Sequence, residues 1–276
     1  MKFNFTRALL CLTAIVFSLT DCKKSTLSPL PATTDVHNLD SLASQIVSGY
    51  MQSLNGKIGN ININDGIKAP TKFTANNKGP VLFSTQPMCG YMIDTAYTTS
   101  IIAGDTTKLT SGNFNFIYTC STNYLDGYKV KDSVEVKQVA TGFYTDYKYG
   151  EDLTVKALDN TYKLVSVAGN SSIDTYSGNS SPENSSSRFV RTHQGYNFFD
   201  TQVDLSTGKP YYKGEASFII NATDINGKYV SYTGIMFFGR TKVILNVERP
   251  NPANGSLREV YEVDLITGKV KFTGYA

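Results

Sequence analysis

From Ile58 to the C terminus, apolar side chains recur at every second position, a period that belongs to β-strands. Phe114, Phe116, Tyr118 and Cys120 share one face, while Asn113, Asn115 and Thr119 point the other way. Val134 and Val136, then Val139, sit among Glu135, Lys137 and Gln138. Val243, Leu245 and Val247 alternate with Lys242, Asn246 and Glu248, and Glu259, Tyr261, Val263 and Leu265 with Glu262 and Asp264. An apolar face opposite a polar one describes antiparallel strands with one side in a core. Ile235 to Phe238 is apolar at every position, which predicts an interior strand.

Turn chemistry punctuates this pattern. Asp126-Gly127 and Asn226-Gly227 are two-residue hairpin signatures, and Tyr149-Gly150, Asp159-Asn160 and Gly239-Arg240 mark further corners. Consecutive hairpins with no helical pattern between them predict an all-β fold: an antiparallel meander forming a β-sandwich or a curled sheet.

One helix precedes the strands. Leu39, Leu42, Ala43, Ile46, Val47, Tyr50, Met51 and Leu54 recur at steps of three and four, predicting an amphipathic helix over 39–55. Asn38 is placed to cap it, Asp40 suits its positive end, and Gly56 stops it. Its polar face carries Ser and Gln rather than Lys and Arg, so it is expected to pack on the β-body rather than on lipid.

An internal echo appears near the end. Val203 to Ala216 and Val263 to Ala276 are identical at eight of fourteen positions, each with an Asp-Leu-x-Thr-Gly-Lys core. Each is expected to form a hairpin that turns at its Thr-Gly, with small residues inward. Asn170 to Ser187 is poor in apolar residues, with eight Ser and three Asn among eighteen residues. That composition predicts disorder, and a seam between two halves near 170–188.

The charge balance excludes one function class. The chain has 26 Lys and Arg against 23 Asp and Glu, spread evenly, and no run of basic residues. No nucleic-acid partner is expected.

The N terminus says where the protein resides. Lys2 and Arg7 precede an apolar run from Ala8 to Leu19, too short to span a bilayer, which takes roughly 20 residues. Then comes Leu19-Thr20-Asp21-Cys22-Lys23-Lys24. This resembles the signal of bacterial lipoproteins of the Gram-negative envelope, although Asp21 stands where that motif usually has a small residue. The resemblance implies that residues 1–21 are removed and that Cys22 is lipidated and becomes the first mature residue. Residues 22–38, rich in Ser, Thr and Pro, then read as a flexible tether to a β-rich domain over 39–276. The membrane becomes a partner through the lipid. Lys23, with no Asp after the cysteine, implies the outer membrane, facing the periplasm. With Cys11 in the leader and Cys22 acylated, Cys89 and Cys120 remain. In an oxidising compartment that even remainder suggests one disulfide.

A search for chemistry returns little. No GxSxG, HExxH, Walker A or GxGxxG motif occurs, so no catalytic residue, metal or cofactor is assigned. His37 falls in the tether, leaving His193 in the body. Arg188, Arg191 and His193 are the candidate ligand-binding residues, suited to an anion; a solvated strand edge is the plainer reading. Asn60, Asn62, Asn64, Asp65 and Gly66 look like a calcium loop, but the glycine is misplaced and the closing Glu is missing. Glu151-Asp152 and Glu259, Glu262 and Asp264 supply carboxylates whose spacing does not establish a glycosidase pair. Tyr144, Tyr147, Tyr149, Tyr211 and Tyr212 form two rows that would stack on sugars if exposed.

The sequence thus predicts an envelope lipoprotein with a non-enzymatic binding or structural role, and names no ligand or protein partner. Exposed tyrosine rows would favour glycan binding. An apolar cavity within the sheet would favour a carrier of lipid or other hydrophobic ligands. A cleft joining His193 to carboxylates would favour a hydrolase.

Overall fold

The computed structural model describes residues 39–57, 59–69, 89–122, 124–179, 189–206, 211–224, 226–251 and 255–276, and their side chains except those of 39, 200, 211 and 251. The leader, the tether with Cys22, the capping Asn38 and Arg188 lie outside these residues.

The fold is antiparallel β. Helix α1 (Leu39–Leu54) and a short 3-10 turn (Ile63–Asp65) lead into β1 (Met92–Ala103), β2 (Thr106–Ser121), β3 (Tyr124–Ala140) and β4 (Phe143–Ala157). β5 (Leu164–Gly178), β6 (Phe189–Asp204), β7 (Tyr211–Thr223) and β8 (Tyr229–Phe238) follow. β9 (Lys242–Asn251), β10 (Gly255–Asp264) and β11 (Val270–Tyr275) complete the chain. The eleven strands make one sheet in sequence order. Among the described residues no second sheet faces it, so the packing partner of a sandwich is missing.

The sheet curves. Laid flat, eleven strands would spread about 48 Å between their outermost axes, whereas α1, with sixteen residues, is about 24 Å long. Yet residues 39–69 reach strands from one side of the sheet to the other. Asn60 Nδ2 lies 3.3 Å from the Tyr97 hydroxyl on β1, and the Ala69 N–H donates to the Tyr118 hydroxyl on β2 at 2.6 Å. Ser53 and Ser171 on β5 are 3.1 Å apart, and Tyr50 stacks on Phe238 of β8 at 4.7 Å. α1 also packs on β10 and β11. Only a sheet wrapped round that segment meets all these contacts.

The core lies in this concavity. Ala43, Ile46, Val47, Tyr50 and Leu54 of α1 are buried against inward side chains that include Phe114, Phe116, Phe198, Met236 and Leu245. Each large apolar side chain so buried contributes about 1.5–3 kcal/mol. Gly56, at φ +60°, turns the chain out of the helix, and a side chain there would strike the Ile61 carbonyl. The convex face carries charge instead. Lys137 and Lys148 both lie 3.1 Å from Glu135, and Lys242 is 2.6 Å from Glu262.

Several sequence expectations change. Asp126-Gly127 and Tyr149-Gly150 lie within β3 and β4 rather than at corners. A Cβ on Gly127 would run into the Val155 carbonyl, so this glycine allows a close strand approach instead of a turn. Asn170–Gly178, expected to be disordered, runs in β5, paired to both β4 and β6, while residues 180–188 of the same stretch, where the division into halves is expected, lie outside the described residues. Its alternation of Ser171 and Ile173 inward meets the sheet's needs despite the polar composition. β8 is interior, but Ile235 and Phe237 remain 39% exposed on the convex side. The two echoing segments are hairpins, β6–β7 and β10–β11, in which Asp204 and Asp264 accept backbone bonds from the turn. Ala216 is buried as the echo suggests, but Ala276 is exposed.

Candidate functional site

The concave face buries polar groups on the same parity as the core. In β3 the inward residues are Tyr128, Val130, Asp132 and Val134, and in β4 they are Tyr149, Glu151, Leu153 and Val155. The pairing register sets Asp132 directly opposite Glu151. Two carboxyl groups therefore stand side by side beneath the chain that follows α1, only 2% and 3% exposed.

Two consecutive residues of that chain dock on the pair. Asn60 donates to Asp132 through its backbone N–H at 2.7 Å and its side-chain amide at 2.8 Å. Gly59 lies over Glu151 and Tyr149. A Cβ there would sit 2.6 Å from the Tyr149 ring and 3.1 Å from Glu151 Oε1, so glycine is what lets the chain pass.

The electrostatics differ sharply between the two acids. Asp132 has two N–H donors, which stabilise a carboxylate. Among the described residues Glu151 accepts one bond, from the Tyr149 hydroxyl at 2.5 Å, and its Oε1 has no partner. Burial pushes the Glu151 carboxyl up to about 8, and the neighbouring Asp132 adds to the shift. The shift favours the protonated form of Glu151. The Tyr128 hydroxyl is also buried with no partner among the described residues, and burial raises it well above the ordinary phenol range.

The same device recurs along the seam. Tyr196 lies 2.8 Å from Gln194 Oε1 and 3.0 Å from the Ile46 carbonyl of α1, and Tyr261 donates to Glu259 at 2.8 Å. Arg249 pairs with Glu259 at 3.0 Å. Tyr50 and Thr201 share a bond of 2.7 Å, and Tyr212 lies 3.2 Å from both Asn55 and Asn64. The bonds of Tyr196 to Ile46, of Tyr50 to Thr201 and of Tyr212 to Asn55 and Asn64 fasten residues 39–69 into the concavity, and Asp132, Glu151 and Glu259 are buried there.

The residues singled out in the sequence lie elsewhere. Arg191 and His193 follow one another on the convex face of β6, and His193 Nδ1 is 2.9 Å from Asp174 Oδ1. An anion there would meet the Asp174 carboxylate. Glu151 points inward and Asp152 outward, while Glu259 is inward and Glu262 and Asp264 outward, so neither acidic set is gathered on one face. Tyr149 and Tyr212 are buried in the core, and Tyr147 turns inward with them. Tyr144 stays on the convex side against Tyr176 at 5.7 Å, and Tyr176 stacks on Phe189 at 5.1 Å. Tyr144 meets Tyr176 edge to face and Tyr176 stacks on Phe189, so these rings are engaged with one another rather than set out as a flat row. Asn60, Asn62, Asn64 and Asp65 turn to protein partners rather than forming a calcium loop.

Cys89 and Cys120 form a disulfide with Cα atoms 5.7 Å apart. Cys120 is only half-buried rather than in the core, beside a register shift in which Asp126 of β3 is the extra residue. Among the described residues no group of three or more His, Cys, Asp or Glu could hold a metal, and no helix is long and apolar enough to cross a membrane. Compared with known proteins, the chain matches no protein-family model, no curated protein and no solved structure.

Proposed function

We propose that this chain is a lipoprotein of the Gram-negative envelope, acylated at Cys22 and held at the outer membrane facing the periplasm, with a non-enzymatic binding or structural role. The anchor rests on residues 2–24 of the sequence. The non-enzymatic role rests on one observation: the chain's own residues 39–69 fill the concave face, where a curled sheet would otherwise house a ligand or a reaction. In this reading α1 is an amphipathic plug. The tether over 22–38 runs straight into it, so a lipid at Cys22 would couple the membrane to the element that fills the sheet.

Two measurements test the two halves. Cys22→Ser should move the protein from the membrane to the soluble fraction and abolish palmitate labelling; label that persists overturns the anchor. Purified protein should turn over no common glycan, ester or peptide. Turnover that His193→Ala abolishes overturns the non-enzymatic role and returns attention to the His193–Asp174 pair.

A second reading, carriage of a hydrophobic ligand, is favoured by the lining of the concavity, which includes Phe114, Phe116, Phe198 and Phe238 beneath residues 39–69. A carrier would have to release that segment. Binding of a fluorescent fatty acid together with faster hydrogen exchange in α1 would select carriage over the first reading.

A further inference from the structure

We infer that β1 is a pairing edge for a second copy of this chain, which adds its own β1 antiparallel about a two-fold axis at Thr99. The two edges of the sheet are built differently. β11 has six residues, carries Lys271, meets β10 through a register shift and packs against α1. Short length, a lysine, a bulge and a covering helix are the devices that keep an edge from recruiting another strand. Among the described residues β1 shows none of them. It runs for twelve residues in unbroken register with β2, and Met92–Ala103 contains no Lys, Arg or Pro. From Thr98 to Ala103 every residue is exposed, with Ile101 at 61% and Ile102 at 76%. Among the described residues β1 pairs with β2 alone, and no described strand lies along its other edge from Thr98 to Ala103.

The strand is complementary to itself. In antiparallel pairing, opposite residues share a face, so the two-fold must pass through a residue. Placed at Thr99, it sets Thr98 opposite Ser100, and Tyr97 opposite Ile101. Hydroxyl pairs and aromatic–β-branched pairs are favourable cross-strand partners. Ala96 then meets Ile102. Asp94, the single charge of the strand, falls opposite Gly104, beyond the paired stretch, so no like charges meet. The protected β11 edge limits the assembly to two copies. Pairing through β1 closes, and nothing propagates from the other side.

Sedimentation of the purified full chain should give twice the 30.3 kDa chain mass. Thr99→Lys places two ammonium groups opposite one another at the axis and should return the mass to one chain. Thr99→Cys should form a disulfide-linked dimer under mild oxidation, which does not depend on the lysine variant folding. A wild-type chain that sediments as a monomer, a dimer that Thr99→Lys leaves intact, or a folded Thr99→Cys chain that does not cross-link overturns the pairing.

Discussion

Asn60 grips Asp132 twice, with its backbone N–H at 2.7 Å and its side-chain amide at 2.8 Å, across 72 residues of sequence. The grip is long-range and buried on the carboxylate side. Residue 60 is thereby fixed to the middle of the sheet, and with it the segment that leaves α1. Because Asp132 stands opposite Glu151 on the next strand, the same spot holds two acids whose demands conflict.

Removing the Asp132 carboxylate should therefore loosen the segment first. Asp132→Ala leaves both Asn60 donors without their acceptor, at a cost of about 2–4 kcal/mol. Hydrogen exchange should rise at residues 59–66 well before it rises in the strands. Uniform acceleration over all strands would show that the bond supports the whole sheet instead.

Tyr50 should be the most costly single truncation in α1. Its ring stacks between Phe198 at 4.8 Å and Phe238 at 4.7 Å, and its hydroxyl meets Thr201. Tyr50→Phe loses only the hydrogen bond, about 0.5–1.5 kcal/mol. Tyr50→Ala also opens a cavity and should cost about 3–5 kcal/mol. Urea denaturation of the two variants measures the difference, and equal losses would mean that the ring contributes nothing beyond its hydroxyl.

The Cys89–Cys120 bridge closes a separation of 31 residues. In the chain-entropy account such a closure stabilises by roughly 3–4 kcal/mol. The double variant Cys89→Ser and Cys120→Ser should lower the thermal midpoint by several degrees without changing the far-ultraviolet spectrum. An unchanged midpoint would place the stabilising effect in the reduced chain as well.

The strands were legible because alternation is a local property: Phe114, Phe116 and Tyr118 declare their face from neighbours two residues away. The chain reversal near 120 was misplaced because Asp126-Gly127 carries hairpin chemistry, whereas its glycine answers to the Val155 carbonyl on the next strand. No local signal reveals that contact. The acid pair left a trace that could have been followed. Asp132 occupies the parity of Tyr128, Val130 and Val134, and Glu151 that of Tyr149 and Leu153, so each is a carboxyl where the pattern requires a core residue. What no pattern supplies is the register that makes them neighbours, or the identity of Asn60 as the group that meets them. The alternating asparagines at 60, 62 and 64 were visible, but cation binding and core hydrogen bonding use the same side chains.

Glu151 should give the protein a stability that depends on pH in a defined direction. Its carboxyl is raised from an ordinary 4.5 to about 8 in the folded chain, by burial and by the charge of Asp132. The folded state therefore keeps a proton that the unfolded chain has lost throughout that interval. This contribution is fully present below pH 4.5 and is lost as pH rises to about 8, a change on the order of 5 kcal/mol if nothing relaxes. Above that range an ionised Glu151 would face Asp132, under Gly59, with an unpartnered oxygen and no cation bonded to it among the described residues. Tyr128 and Tyr149 beside it are raised well above the ordinary phenol value and stay neutral over the same interval. Glu151→Gln keeps the shape and the Tyr149 bond but carries no proton to lose. Urea midpoints from pH 5 to about 9 should therefore fall for the wild type relative to Glu151→Gln, the gap widening as the pH increases. Parallel curves would mean that Glu151 is already ionised in the fold, and that the loop over residues 59–60 tolerates two adjacent negative charges.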